Sequence, residues 1–207
     1  MCERRISCRE PEKASGARNS LPWGACSRAP EALRWGMIET QRLVLSRPRL
    51  EDMEPVCAMW ADPAVTRFIS PMPLDRRQGW MSVVQMAGHW DLLGYGGWIV
   101  REKGTRAFVG SMGFQRFVRG IDASREHLPE AGWVLSPAMW GRGYASEAIG
   151  AFLAWGDASL SSDVTLAIVR EDNAPSLRVA AKVGYREIGR ARYADSPMVL
   201  LERWRRA

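Results

Sequence analysis

Histidine and cysteine are scarce in this 207-residue chain, with two of the first (His89, His127) and four of the second (Cys2, Cys8, Cys26, Cys57). The cysteine spacings match no paired metal-ligand motif, so no metal site is expected. A disulfide framework is not expected either, because a chain of this length builds a core without covalent staples. Cys57 falls in an apolar helical pattern and reads as a small buried hydrophobe. Reduced thiols in a cytoplasmic setting follow. No uninterrupted apolar run approaches the roughly 18 residues that a membrane helix needs, so no membrane partner is expected. Arg4-Arg5 is not followed by the apolar stretch of a twin-arginine export signal, since Glu10, Glu12, Lys13 and Arg18 interrupt it. There is no Gly-Lys-Ser/Thr, which excludes a Walker A loop.

An excess of charge is also missing from most of the chain. The formal charge is +6. Residues 1–36 hold seven of the 29 Lys/Arg and four of the 23 Asp/Glu, so the remainder carries 22 against 19. Half the excess therefore sits in the first sixth of the chain, and the rest is too nearly neutral to call for a nucleic-acid partner. Residues 1–36 lack hydrophobic periodicity and are rich in Arg, Ser, Pro, Gly and Ala. They read as a disordered tail, or as an extension upstream of a natural start at Met37.

What is present has the make-up of a soluble globular protein, 46% hydrophobic and 25% charged. Patterned sequence begins at Ile38, and residues 37–207 read as one domain. A strand is expected over Ile38–Arg47, a helix over Glu51–Asp62 and a second over Asp75–Leu93. Strands follow at Trp98–Arg101 and Phe108–Phe117, then a short one at Gly132–Leu135. A helix over Tyr144–Ala158 buries Ala148, Phe152 and Trp155. A strand at Val164–Val169 precedes a helix at Pro175–Val183, with Asn173 as cap and Gly184 as stop. Two strands close the chain, near Tyr185–Arg192 and Met198–Trp204. This order makes an α/β or α+β fold.

The stretch Trp133-Val134-Leu135-Ser136-Pro137-Ala138-Met139-Trp140-Gly141-Arg142-Gly143-Tyr144-Ala145-Ser146-Glu147 runs strand, glycine loop, helix. Gly141 and Gly143 allow a sharp turn and a close approach of ligand to backbone. The unpartnered N–H groups of a helix start, with the helix dipole behind them, attract phosphate. Arg142 adds a possible cationic contact. On glycine spacing alone, a plain strand-to-helix turn accounts for the pattern equally well. The nicotinamide-dinucleotide fingerprint fits poorly, because Asp163 precedes the next strand instead of ending it and Ser146 replaces the third glycine.

These residues resemble the GNAT acetyltransferase superfamily, in the branch of the ribosomal-protein N-terminal acetyltransferases. The resemblance spans about residues 37–205. Its pieces are Thr40-Gln41-Arg42-Leu43-Val44-Leu45, Glu130-Ala131-Gly132-Trp133-Val134-Leu135, Gly141-Arg142-Gly143-Tyr144-Ala145-Ser146-Glu147-Ala148, and Asn173-Ala174-Pro175-Ser176-Leu177-Arg178 leading to Lys182-Val183-Gly184-Tyr185. It implies a strongly bent mixed sheet flanked by helices, with acetyl-CoA in a splay between Gly132–Leu135 and Val164–Val169. The phosphate loop maps onto Trp140, Gly141, Arg142, Gly143, Tyr144 and Ala145, where Trp140 departs from the usual polar residue. Pantetheine would run beside Trp133, Val134 and Leu135, pairing with their backbone like an added strand.

Transfer to an amine needs a proton acceptor, stabilisation of an oxyanion and a proton for the departing thiolate. The resemblance implies Glu130 as general base, against a solvated edge carboxylate or an anchor for the substrate ammonium. The backbone N–H of Leu135 is the candidate for the carbonyl oxygen. The tyrosine that many relatives carry seven residues after the helix-opening Asn is Ala180 here. Ser176 is the candidate in its place, against a local cap bond. Asn173 is an amide partner for pantetheine, against a helix cap alone. Trp60, Trp80, Trp90 and Trp155 read as core, whereas Trp98 and Trp140 are placed near the cleft. His89 reads as structural. Arg67, Arg76, Arg77 and Arg119 could favour an acidic acceptor, with exposed, solvated arginines as the plainer reading. The function implied is an acetyl-CoA-dependent N-acetyltransferase acting by direct transfer to a protein N-terminus or small-molecule amine. A non-catalytic acyl-CoA-binding or sensor domain is the alternative. Monomer and homodimer both remain open.

Overall fold

The computed structural model describes residues 37–205, and residues 1–36, with Cys2, Cys8 and Cys26, lie outside them. Eight strands form one mixed sheet: β1 (Ile38–Glu39), β2 (Leu43–Ser46), β3 (Gly97–Glu102), β4 (Phe108–Gln115), β5 (Glu130–Leu135), β6 (Val164–Arg170), β7 (Arg186–Tyr193) and β8 (Ser196–Trp204). The helices are α1 (Met53–Trp60), the single turn α2 (Pro63–Thr66), α3 (Arg76–Leu93), α4 (Tyr144–Ser159) and α5 (Ala174–Lys182). The spatial order is β1-β2-β3-β4-β5-β6-β8-β7. Among the described residues, only β5 and β6 pair in parallel, as two strands joined through a crossover helix, here α4.

That parallel pair does not stay together. Its register consists of Glu130 opposite Leu166 alone, with the Leu166 N–H donating to the Pro129 carbonyl at 2.9 Å. By contrast β4 and β5 pair from Gly110–Leu135 to Gln115–Glu130, and β6 pairs with β8 along the whole length of β6. The sheet is thus continuous at the start of β5 and open beyond it. This is the splay that the family resemblance implies.

Local chemistry explains where the helices begin. Asp75 caps α3 by accepting from the Gln78 amide at 2.7 Å, while Gln78 Oε1 accepts from the Asp75 amide at 2.9 Å, a reciprocal capping box. Asn173 Oδ1 accepts from the Ser176 amide at 3.2 Å, so the expected cap on α5 is present. Helix α4 follows Gly143, which has φ 78° and supplies no side-chain cap.

The core also corrects several expectations. The single strand expected over Ile38–Arg47 is two short strands, β1 and β2, joined by a turn in which Thr40 N–H donates to the Leu43 carbonyl at 2.9 Å. The turn α2 was not anticipated; it arises because Asp62 accepts from the Ala64 amide and Pro63 starts a helix without needing a donor. Trp98, expected near the cleft, is fully buried. It sits among Trp90 (4.7 Å), Trp155 (5.0 Å) and Phe152 (6.1 Å between ring centroids). Ile99, the next residue on the strand, belongs to a second cluster with Val56, Val83 and Met86 from α1 and α3. Cys57 is a buried free thiol, as expected, and burial pushes its pKa up.

Candidate active site

Strand β5 supplies the spine of the site. The Ser136 amide donates to the Val109 carbonyl at 2.9 Å, and an antiparallel ladder alternates the side to which successive residues bond. The N–H groups of Trp133 and Leu135 therefore turn away from β4, toward the side on which β6 has diverged. The Leu135 carbonyl on that side accepts from the Trp140 indole N–H at 2.9 Å. Trp140, the departure in the loop pattern, thus folds back to satisfy the end of the exposed strand edge.

On one side of this edge lies a cavity of about 440 Å³. Of the loop residues singled out from the sequence, Trp140, Gly141, Gly143, Tyr144 and Ala145 line it, together with Trp133, Val134, Leu135, Asn173 and Ser176. Gly141 (φ 73°) and Gly143 (φ 78°) both adopt the left-handed conformation, which explains glycine at both positions. Arg142 is not brought in. Its guanidinium pairs with Glu102 at 3.0 Å and does not line the cavity.

The loop is held from behind by contacts that no local pattern reveals. Glu147 Oε1 accepts from the Thr40 hydroxyl (2.6 Å) and the Arg42 amide (2.9 Å), and Oε2 from Arg42 Nε (2.7 Å). Arg42 Nη1 then donates to the Arg142 carbonyl at 2.9 Å, inside the glycine loop. Burial favours the neutral form of Glu147, but the Thr40 and Arg42 donors together outweigh it and hold the carboxyl below its usual range. The roles of Thr40, Arg42 and Glu147 were missed in the sequence, although all three lie in the motif pieces quoted above.

On the other side of the edge is a second cavity, of about 400 Å³. Phe68, Ile69, Trp133, Val134, Asn173 and Ser176 line both cavities, so the two meet at the splay. Glu130 lines the second one and is 7% exposed, not a solvated edge carboxylate. Its two oxygens accept from Arg119, Oε1 from Nη2 at 3.0 Å and Oε2 from Nε at 3.2 Å. Burial pushes its pKa up, more than the Arg119 guanidinium pulls it down. Arg119, read as exposed from sequence, is instead stacked on Phe117 (4.3 Å) and Tyr193 (5.0 Å). Trp60, expected in the core, is only half-buried and lines this cavity. Ala180 is fully buried, so position 180 contributes no group to the site.

The residues present fit a coenzyme A thioester. There is a strand edge with outward N–H groups, a left-handed glycine turn leading into a helix start without a side-chain cap, and a pair of cavities that share lining residues at the splay. The comparisons with known proteins agree. Residues 42–186 match the model of the acetyltransferase (GNAT) domain. An N-acetyltransferase of Bacillus licheniformis, p20, itself uncharacterised, is 29% identical over 151 residues, covering 72% of this chain and 82% of that one. A solved structure described as a GNAT-family acetyltransferase from Bordetella pertussis superposes with a TM-score of 0.72 at 29% identity, covering 81% of this chain and 98% of that one. A ribosomal L7/L12 alpha-N-protein acetyltransferase solved with coenzyme A shares the fold, with a TM-score of 0.67 at 13% identity over 81% of this chain and 97% of that one. The chain belongs to the GNAT family of acetyltransferases.

Proposed function

We propose that the protein is an acetyl-CoA-dependent N-acetyltransferase that moves the acetyl group directly to a primary amine. The observation that carries this reading is the meeting of the two cavities at Trp133, Val134, Asn173 and Ser176, with the buried Glu130 on the wall of the second. The first cavity takes the cofactor, with the Gly141, Gly143 and Ala145 amides toward its pyrophosphate and the Trp133 and Leu135 edge beside pantetheine. Asn173 spends its carbonyl oxygen on the helix cap and keeps its NH₂ for the cofactor. The thioester supplies the activated acetyl group.

Glu130 accepts the proton that the amine must lose. Its bonds to Arg119 use one lone pair on each oxygen and leave another on each. The raised pKa makes it a stronger acceptor than an ordinary carboxylate. The amine nitrogen forms the new N–C bond and the C–S bond breaks, while the Leu135 N–H stabilises the charge that develops on oxygen. Ser176 relays a proton from solvent to sulfur and so regains its own hydroxyl proton, in place of the tyrosine that Ala180 precludes. The same reading has the protein cytoplasmic, with Cys57 reduced.

The test is coupled thiol release from acetyl-CoA with a panel of amines, alongside a direct measurement of acetyl-CoA binding. Amine-dependent release is expected. Tight acetyl-CoA binding without release from any amine, and unaltered by Glu130→Gln, would instead establish the sensor reading that Ala180 favours. The clamp behind the loop gives a separate expectation. Glu147→Gln should raise the KM for acetyl-CoA about tenfold, the equivalent of one charge-assisted contact of ~1.5 kcal/mol, with kcat little changed. An unaltered KM would show that the Arg42 clamp does not set the loop's geometry.

A further inference from the structure

The charges around the second cavity bear on what its acceptor can be. Among the described residues, three charged side chains line it: Arg119, Glu130 and Arg170. Glu130, the single carboxylate, is engaged by Arg119 through both oxygens. Arg170 is likewise held, its Nε and Nη2 donating to Asp172 at 3.0 and 2.8 Å. Among the described residues, the wall therefore offers no carboxylate beyond Glu130 for a second ammonium group, and both of its guanidinium groups are already paired with a carboxylate. The aromatic faces nearest Glu130, those of Phe117 and Tyr193, are already occupied by the Arg119 cation. Much of the remaining lining is apolar and polarisable, from Trp60, Phe68, Met86, Met112 and Trp133, with Ser82, Gln85, Ser111 and Gln115 among its neutral polar groups. A volume of about 400 Å³ lies within the range of small-molecule pockets.

We infer that the acceptor is a small monoamine carried on an aromatic body, and not a polyamine or an acidic molecule. This inference rests on the acetyltransferase reading above and adds the substrate class. The aromatic body packs against the indole, phenyl and thioether groups of the wall. Its one amine, delivered toward Glu130, loses its proton there, so no permanent positive charge stays buried beside Arg119. A polyamine would keep at least one further ammonium in the cavity without a counter-charge.

The full chain is assayed for thiol release with acetyl-CoA and, separately, tryptamine, 2-phenylethylamine, spermidine and a short peptide with a free N-terminus. The aromatic amines are expected to exceed the other two in kcat/KM by about tenfold or more, the span of one to two lost polar or apolar contacts. Gln85→Glu, at an exposed position on the cavity wall, supplies the missing carboxylate without a change of size. It should raise kcat/KM for spermidine about two- to fivefold relative to that for the aromatic amines. Spermidine or the peptide outperforming the aromatic amines overturns the inference while leaving the acetyltransferase reading intact. Should no amine be turned over, tryptophan fluorescence in the presence of coenzyme A separates the remaining cases. Quenching by 2-phenylethylamine supports the binding preference and defeats the catalytic reading. No quenching and no turnover defeats the inference.

Discussion

Glu130→Gln should lower kcat by about 10²- to 10⁴-fold while leaving acetyl-CoA binding close to its original value. Glutamine keeps the shape of the side chain and one acceptor oxygen for Arg119, but it cannot take a proton at neutral pH. The pH dependence gives an independent check. Burial raises the Glu130 pKa more than Arg119 lowers it, so the acid limb of kcat, where activity rises as the carboxylate forms, should lie above the ordinary glutamate range. That limb should vanish in the variant. The stability consequence has the opposite sign from that of a salt-bridged surface acid. Because folding raises this pKa, the stability linked to Glu130 is greatest below the unfolded value and declines as pH rises through the folded one. A kcat within about threefold of the parent would remove Glu130 from the reaction.

Trp98→Ala should destabilise the fold by about 3–5 kcal/mol, the cost of a large cavity in a packed core. Trp98 is fully buried and edge-on to Trp90 and Trp155, with Phe152 stacked 6.1 Å away. Its removal leaves three aromatic side chains from two helices without their common partner on the sheet. Thermal unfolding should move down by roughly 10 °C. The cluster ties α3 and α4 to β3, so acetyl-CoA affinity should weaken as well, through looser seating of α4. A shift under 2 °C would mean that the cluster contributes far less than its burial implies.

The contrast between these two residues indicates how much of the molecule could be read in advance. Glu130 was legible because it opens a recognisable strand segment, but its environment was not. The alternative of a solvated edge carboxylate fails because Glu130 lies between β4 and β6 and Arg119, 11 residues away, folds back onto it. Trp98 was misplaced for a related reason. Alternation along β3 assigns neighbouring side chains to opposite faces, without saying which face meets the helix carrying Phe152 and which meets Val56 and Val83. Trp60 erred in the other direction, since an apolar stripe on a helix looks the same whether it meets core or the wall of a cavity.

What the amino-acid sequence determined by itself is local. Asp75 and Asn173 start their helices, Gly141 and Gly143 permit a left-handed turn before α4, and the order of elements marks a mixed α/β sheet. Each follows from interactions spanning a few residues, so the pattern carries them whatever the chain does elsewhere. Tertiary structure alone decided that Trp140 satisfies the Leu135 carbonyl at the opening, that Arg119 neutralises the buried carboxylate, and that Arg42 reaches across 105 residues to Glu147 and steadies the glycine loop. Those are pairings between side chains and strands distant in sequence. Charge, hydropathy and spacing are unchanged by which partner a residue meets, whereas burial and hydrogen-bond geometry depend on it entirely.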